Sequence, residues 1–134
     1  MIRLAKISDL TDIIKIYNQI NIKNIEKDCL YDEYDFTEHI KNKNIKVYQD
    51  NSILGFIMFY DNVTWCYIET LVVDNKHRNK GIGKKLIESI KKDKWRQVEL
   101  CCHISDLDII TFAEKCNFKP SNQLTKWYYE LHTN

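Results

Sequence analysis

Two of the chain's three glycines, Gly81 and Gly83, stand two residues apart, between an apolar segment and a segment with helical spacing. The first turn of a helix leaves N–H groups without intrahelical partners, and the helix dipole makes that end positive. An anion can reach those groups where glycine leaves out a side chain. Arg78, Lys80 and Lys84 add positive charge at the same point. The pattern predicts a binding site for a pyrophosphate.

Two better-known glycine loops do not fit the spacing of this turn. The dinucleotide fingerprint requires a third glycine three residues after Gly83, where the chain has Leu86. The P-loop requires four residues between its glycines, followed by Lys and Ser or Thr. A structural alternative stays open, in which Gly81 and Gly83 only allow a helix to pack closely on a sheet.

Hydrophobic periodicity predicts the elements that position this turn. Their order is βααβββαβαβ, which indicates an α/β (α+β) fold and one domain over residues 1–134. Residues 53–60 are apolar on both faces apart from Gly55, which predicts a central strand. The predicted strands are 2–5, 45–49, 53–60, 64–73, 97–102 and 125–131, and the predicted helices begin at Ser8, near Asp35, near Gly81 and at Ser105.

Charge and composition narrow the class of partner. The chain has 20 Lys and Arg against 19 Asp and Glu, a net charge of +1. This balance gives no general affinity for nucleic acid or for an anionic membrane. No apolar run reaches the ~20 residues of a membrane span. The five cysteines are odd in number and lack CxxC spacing, which favours reduced thiols in the cytoplasm and no metal site.

Residues 68–74 and 77–86 closely resemble the signature of the GNAT superfamily of N-acetyltransferases. The family motif is Arg/Gln-x-x-Gly-x-Gly/Ala, and Arg78, Gly81 and Gly83 fill it. Residues 112–118 are similar, more weakly, to the family segment Phe-Tyr-Glu-Lys-x-Gly-Phe. The predicted element order also matches over nearly the whole chain. The resemblance implies a GNAT-like fold with a central mixed, mostly antiparallel sheet flanked by helices.

The same resemblance implies acetyl-CoA as the acetyl donor, without a metal. The strand before the turn would hold the acetyl and pantetheine groups with its backbone, because a bulge typically separates it from the next strand. Asp106 stands where the family often has an Asn that contacts pantetheine. The residues assigned to cofactor binding are Leu71, Val72, Val73, Arg78, Asn79, Lys80, Gly81, Ile82, Gly83, Lys84, Asp106 and Phe112.

Acetyl transfer to nitrogen requires a neutral amine. An alkyl amine has a pKa near ~10, so deprotonation at neutral pH costs roughly 4 kcal/mol. Glu69 lies within an apolar strand where the family often has its base, and the alternative is a structural carboxylate. The family's proton-donating Tyr is replaced here by Ala113. Tyr128 is the candidate substitute, with Cys102 and His103 as further options.

These features favour an N-acetyltransferase acting on a primary amine of a small molecule, peptide or protein. The alternative is an acyl-CoA-binding module of the same fold with weak or no catalysis, because Ala113 replaces the expected Tyr. The expected partners exclude nucleic acid and membrane, and the expected assembly is a monomer or homodimer. An acidic run between Glu26 and Asp35 would suit a cationic amine, although a solvated charge run is the commoner explanation.

Overall fold

The computed structural model describes residues 1–20, 30–103, 107–125 and 128–133, without the side chains of 102, 103, 107, 121–125 and 128–131. These residues form seven strands and four α-helices, together with short 3₁₀ helices at Ile7–Asp9 and Asn75–His77. The strands are β1 (Ile2–Leu4), β2 (Ile45–Asp50), β3 (Ser52–Asn62), β4 (Trp65–Val73), β5 (Gln97–His103), β6 (Lys119–Thr125) and β7 (Tyr128–His132). The α-helices are α1 (Leu10–Tyr17), α2 (Glu33–Lys41), α3 (Ile82–Lys91) and α4 (Leu107–Lys115).

The strands have the order β1-β2-β3-β4-β5-β7-β6. β2 pairs antiparallel with both β1 and β3, β4 pairs parallel with β5, and β7 pairs antiparallel with both β5 and β6. The predicted mixed, mostly antiparallel sheet is therefore confirmed. The prediction that the apolar strand β3 is central is confirmed as well, because β3 lies between β2 and β4.

The structure corrects the predicted elements at two places: it adds a strand, β6, and it moves the start of α2. The segment from Lys119 to Thr125 forms β6, whereas the sequence predicted no strand between residues 102 and 125. Proline is tolerated on an edge strand, and β6 ends the strand order. α2 begins at Glu33 rather than near Asp35, because the Asp32 carboxylate accepts a hydrogen bond from the Asp35 N–H, at 2.9 Å, and caps the helix.

The chain divides into two compact units, and unit 1 comprises Met1–Met58 with Thr70–Leu86. Its core joins the apolar faces of α1 and α2 to β2 and β3, and three aromatic side chains, Tyr17, Phe36 and Phe56, stack edge to face within it. The remaining buried members of this core are Ile13, Ile16, Ile40, Ile45, Val47, Ile53, Met58 and Val72.

Unit 2 comprises Phe59–Glu69 with Ile87–Asn134. Its buried side chains include Cys66, Ile68, Ile87, Ile90, Trp95, Val98, Leu100, Ala113, Cys116 and Phe118. The helical spacing of Ile82, Leu86, Ile87 and Ile90 predicts a buried stripe on α3, and all four side chains are buried. On α4 the spacing predicts a buried stripe of Ile109, Phe112, Ala113 and Cys116, and the prediction is wrong at Ile109, which is 47% exposed. At the β3 end, Asp61 accepts hydrogen bonds from Lys94 Nζ, at 2.9 Å, and from the Trp95 indole, at 3.1 Å.

Candidate functional site

The turn before α3 has the backbone that the glycine pattern predicts. Gly81 has φ +83°, and Asn79 has φ +62°. The first α-helical bond runs from the Lys85 N–H to the Gly81 carbonyl, at 3.0 Å. The N–H groups of residues 82–84 precede that bond and lie at the positive end of the helix.

Open space surrounds Gly81 on the side where a side chain would project. A Cβ built on Gly81 meets no heavy atom within 4 Å. Close packing of helix on sheet therefore does not explain this glycine. Its backbone conformation does, since L residues rarely adopt φ near +83°. At Gly81 itself, no side chain stands beside the helix start, where an anion would approach.

The positive side chains at the turn are accessible. Arg78, Lys80 and Lys84 are all at least partly exposed. Arg78 Nε donates to the carbonyl of Val73, at 3.2 Å, so this side chain folds back over the last residue of β4. The structure thus places three cations around the start of α3, where the sequence predicted a pyrophosphate site.

β4 pairs with β5 before it leads into the turn. The parallel register comprises four pairs, from Trp65–Gln97 to Ile68–Leu100. β4 continues to Val73, whereas β5 continues along β7 to His103. Within the described part of the chain, this register covers residues 65–68 of β4, and residues 71–73 follow it toward the turn. These are Leu71, Val72 and Val73, whose backbone is the predicted acetyl and pantetheine site.

Gly55 on β3 is the glycine that permits close packing of α3. A Cβ at Gly55 would lie 3.0 Å from the carbonyl oxygen of Val72 and 3.3 Å from Cγ2 of Ile82. Contacts this short would require the neighbouring atoms to move by a few tenths of an ångström in a packed interior. Gly55 thus sets the distance of both the β4 backbone and the helix start from β3, a role that sequence reasoning did not assign to it.

Asp74, between β4 and the turn, uses all four of its polar groups. Its N–H donates to the Leu54 carbonyl, at 2.8 Å, and its carbonyl accepts from the His77 N–H, at 2.9 Å. Its Oδ1 accepts from Gln19 Nε2, at 2.8 Å, and its Oδ2 lies 2.7 Å from His77 Nδ1. Hydrogen bonds from Gln19 and His77 hold the pKa of the Asp74 carboxyl below its ordinary value.

Sequence reasoning missed this network. Gln19 also accepts a hydrogen bond on Oε1 from the Asn75 N–H, at 2.9 Å, across 56 residues of chain. A glutamine at the end of a helix carries no signal that it pairs with a loop so distant. Asp74 and His77 do lie inside the GNAT-like segment, but spacing alone does not show that they contact each other.

Glu69, the predicted base, lies on β4 two residues before Leu71. The side chain is half-buried, and its Oε2 is shielded from solvent. Burial of a carboxylate oxygen next to the end of the β4–β5 register is compatible with a base that acts on a bound amine, and also with a structural carboxylate. Both interpretations of Glu69 therefore remain.

The position of the family's proton-donating Tyr and its candidate substitutes lie on α4, β5 and β7. Ala113, which replaces the family's Tyr, is fully buried on α4. Tyr128 begins β7, and the register places it opposite His103. The side chains of Tyr128, Cys102 and His103, and all of Asp106, lie outside the described residues. Phe112 is half-buried on α4.

The residues that the structure describes contain no candidate metal site and no candidate membrane-spanning helix. Across 1–20, 30–103, 107–125 and 128–133, no group of three His, Cys, Asp or Glu side chains is placed to hold a metal ion. None of the helices in those ranges is both long and apolar enough to cross a bilayer. A surface depression lined by Thr64, Trp65, Arg96, Gln97 and Glu99 contains none of the predicted site residues.

Known structures share this fold over almost their full length. The PaiA N-acetyltransferase from Thermoplasma acidophilum, solved in complex with coenzyme A, superimposes with a TM-score of 0.82 at 19% identity, over 100% of this chain and 98% of its own. An N-acetyltransferase from Staphylococcus aureus Mu50 gives 0.73 at 25% identity, over 98% and 94%. The ribosomal-protein-alanine N-acetyltransferase from Brucella melitensis gives 0.75 at 18% identity, over 98% and 96%.

Sequence comparison assigns the family. No curated protein matches the chain in sequence. The sequence profile of the acetyltransferase (GNAT) family, however, matches residues 10–118, which include α1, the turn before α3 and both GNAT-like segments. The chain belongs to the GNAT acetyltransferase family.

Proposed function

We propose that the chain is a cytoplasmic N-acetyltransferase that transfers an acetyl group from acetyl-CoA to a primary amine of a small molecule, peptide or protein. The observation that carries the proposal is the start of α3. There Gly81 has a left-handed backbone and open space where a side chain would stand. Such a helix start suits a pyrophosphate, and it follows the end of β4, where the family resemblance implies that the acetyl and pantetheine groups bind.

The described residues fit the cofactor. The backbone from Arg78 to Lys84, with the accessible side chains of Arg78, Lys80 and Lys84, would hold the pyrophosphate. The backbone of Leu71, Val72 and Val73 would hold the acetyl and pantetheine groups. Phe112 and Asp106 complete the proposed set. When bound, acetyl-CoA supplies the acetyl group as a thioester.

Glu69 acts as the general base in this proposal. The amine nitrogen forms the new bond to the acetyl carbon, the bond from that carbon to sulfur breaks, and the nitrogen loses a proton. The Glu69 carboxylate accepts that proton, directly or through a water molecule. A positioned base typically contributes ~10²–10⁴ in rate, and it removes the need for the amine to be deprotonated in bulk solvent.

The departing sulfur does not require a strong acid. A thiol has a pKa near ~8.5, so it can leave as a thiolate at modest cost at neutral pH. Ala113 offers no donor, and Tyr128 is the proposed source of a proton to the sulfur. The loss of the family's Tyr at Ala113 is also what favours the second candidate function, an acyl-CoA-binding module with weak or no catalysis.

The proposal names one acetyl donor, acetyl-CoA, but a broad class of amine acceptors. A structural neighbour is named a ribosomal-protein-alanine N-acetyltransferase, which supports a peptide or protein amine. Small amines also remain in the proposal. The acidic run between Glu26 and Asp35 would select a cationic acceptor, but part of that run has a structural role and so does not narrow the acceptor class. In that run, Asp32 and Asp35 form the capping box of α2, and Glu33 lies in its first turn.

One experiment separates the two candidate functions. Free thiol released from acetyl-CoA is followed over a panel of alkyl diamines, amino acids and short peptides with a free N-terminus, and CoA binding is measured by calorimetry. Turnover on any amine supports the transferase. CoA binding without turnover across the whole panel supports the binding module, and absence of CoA binding rejects both.

Glu69→Gln tests the proposed base. The variant keeps the size of the side chain but cannot accept the amine's proton. We expect kcat at neutral pH to fall about 100-fold, the scale of general-base catalysis, with the Kd for acetyl-CoA nearly unchanged. The matched control is Glu99→Gln, another half-buried sheet carboxylate, which accepts a hydrogen bond from Gln97 at 2.7 Å. Equal turnover in Glu69→Gln and wild type would remove Glu69 from the mechanism.

A further inference from the structure

Gln19 joins the end of α1 to residues 74 and 75, which precede the turn before α3. Both polar atoms of its side-chain amide are used. Nε2 donates to Asp74 Oδ1 at 2.8 Å, and Oε1 accepts from the Asn75 N–H at 2.9 Å. One side chain therefore fixes a side chain and a backbone group of adjacent residues, which restrains both the position and the orientation of the segment.

The helix that precedes Gln19 is itself held firmly. Ile13, Ile16 and Tyr17 of α1 are buried in the core of unit 1. After Tyr17, the N–H of Gln19 donates to the Ile16 carbonyl at 3.1 Å, which tightens the last turn. The Gln19 amide thus extends from a turn whose backbone is bonded to the last residues of a packed helix.

The segment that Gln19 contacts, residues 74–77, leads directly into the turn before α3. Asp74 is bonded to Leu54 on β3 and to His77 in the short 3₁₀ helix. Arg78 follows, with its Nε on the Val73 carbonyl, and then comes Gly81 with its left-handed backbone. A displacement of Asp74 would therefore move the turn whose N–H groups are proposed to hold the pyrophosphate.

We propose that Gln19 is a positioning residue for the CoA site, which holds segment 74–77 in its binding conformation and links cofactor binding to the position of α1. The inference rests on the proposed function. Coupling free energies are reciprocal. A ligand or substrate that orders the end of α1 therefore raises the affinity for CoA by the factor by which CoA raises the affinity for that ligand.

A charge exchange tests the contact. In Gln19→Glu the new carboxylate would face the carboxylate of Asp74, and we expect the Kd for CoA to rise about 10-fold. In Asp74→Asn the amide of Gln19 faces a second amide, which must also form the hydrogen bond with His77. We expect the Kd for CoA to rise about 5-fold. The double variant restores the contact with donor and acceptor reversed, since the new amide at position 74 can donate to the new carboxylate at position 19 and still accept from His77.

The expected result is a double variant that binds CoA within about 3-fold of wild type, which is a non-additive cycle. Single variants with wild-type affinity, or a double variant with the multiplied loss of about 50-fold, would overturn the inference. Gln19→Ala gives a milder loss in case Gln19→Glu does not fold. If wild type itself binds no CoA in the same titration, the proposed function fails instead, so the two failures are distinguishable.

Hydrogen exchange provides a readout that general destabilisation would not move. CoA should slow amide exchange at Asn18, Gln19 and Ile20 in wild type, and Gln19→Ala should abolish that protection. The matched control is Gln49→Ala, because Gln49 also bridges distant segments of unit 1, accepting from Arg3 Nε at 2.9 Å. This control should lower thermal stability but keep both CoA affinity and the CoA-dependent protection; loss of protection in it would count against a specific role for Gln19.

Discussion

Gly55 and Gly81 both border α3, yet glycine suits each position for a different physical reason. At Gly55 an added Cβ would meet the Val72 carbonyl oxygen at 3.0 Å, so the absence of a side chain allows two backbones and a helix to approach. At Gly81 an added Cβ would meet nothing within 4 Å, and the backbone has φ +83°. One glycine serves packing, and the other serves backbone conformation and access.

The difference separates stability from binding within one unit. A side chain at Gly55 would perturb the β4 backbone and the buried face of α3 before any ligand arrives. A side chain at Gly81 would leave the packed interior unchanged, because it would project into open space. Gly55→Ala should therefore affect stability, and Gly81→Asn, which can keep the left-handed backbone, should affect CoA binding; the predictions below test that division.

The largest expected effect is on CoA binding in Gly81→Val. A β-branched residue is strained at positive φ, at a cost of ~1–3 kcal/mol, and its side chain would occupy the approach to the helix start. We expect the Kd for CoA to rise by about 30- to 100-fold, which corresponds to about 2–3 kcal/mol. Isothermal titration calorimetry measures it. Equal affinities in variant and wild type would refute the phosphate site.

Gly81→Asn separates conformation from access. Asparagine tolerates the left-handed region better than other L residues with a Cβ, so the turn should keep its backbone. If access is what matters, Gly81→Asn should keep wild-type thermal stability and still bind CoA about 10-fold more weakly, a loss of ~1.4 kcal/mol. Wild-type affinity in Gly81→Asn would show that the backbone conformation alone is required.

Gly55→Ala should show the opposite pattern. The added methyl group forces the Val72 carbonyl or Ile82 to move, and overpacking of this kind costs typically ~1–3 kcal/mol of unfolding free energy. Urea denaturation of the ligand-free protein measures the loss. Ser52→Ala, at an exposed position on the same strand, should be nearly neutral. A Gly55→Ala protein as stable as wild type would remove the distinction between the two glycines.

The sequence predicts the local parts of this site well and the non-local parts poorly. The helix start, its glycines and its cations lie within residues 78–84, so spacing and residue type suffice to predict them. Gly55 acts on Val72 and Ile82, and Gln19 acts on Asp74, through contacts that only the folded sheet and helices bring about. No periodicity encodes such pairs in a single sequence.

Strand prediction shows the same limit. β3 is apolar on both faces, and its central place follows directly from that pattern. β6 contains Pro120 and several polar residues, which indicate a loop unless the strand is known to be at an edge. The edge position is a property of the whole sheet, so local sequence cannot supply it.

Arg78→Ala should give a smaller effect that sharpens the account of the turn. The Arg78 side chain reaches solvent, and one of its hydrogen bonds, to the Val73 carbonyl at 3.2 Å, belongs to the turn itself. An exposed charge contributes ~0.2–1 kcal/mol, so we expect CoA affinity to fall about 2- to 5-fold at low salt and less at high salt. Lys92→Ala, an exposed cation just beyond the last residue of α3, is the control. A loss that does not depend on salt would indicate that Arg78 acts through the turn geometry and not through its charge.

The smallest expected effect concerns a carboxylate outside the turn. Hydrogen bonds from Lys94 and Trp95 lower the pKa of Asp61 from 3.8 to about 2. Because its folded-state pKa is depressed, its contribution to stability is present above pH 3.8 and is lost as the pH falls toward 2. Asp61→Asn should therefore be less stable than wild type at about pH 6, and the gap in Tm should close on acidification.

The CoA affinity of Asp61→Asn should stay at the wild-type value, because Asp61 joins the end of β3 to Lys94 and Trp95 and contacts no proposed cofactor residue among those the structure describes. Thermal melts between about pH 2 and pH 6, with titration of CoA at neutral pH, measure both quantities. A gap in Tm that widens toward acid would contradict the sign of the pKa shift. A weakened CoA affinity would show that stability and binding are not separable in the way that Gly55 and Gly81 indicate.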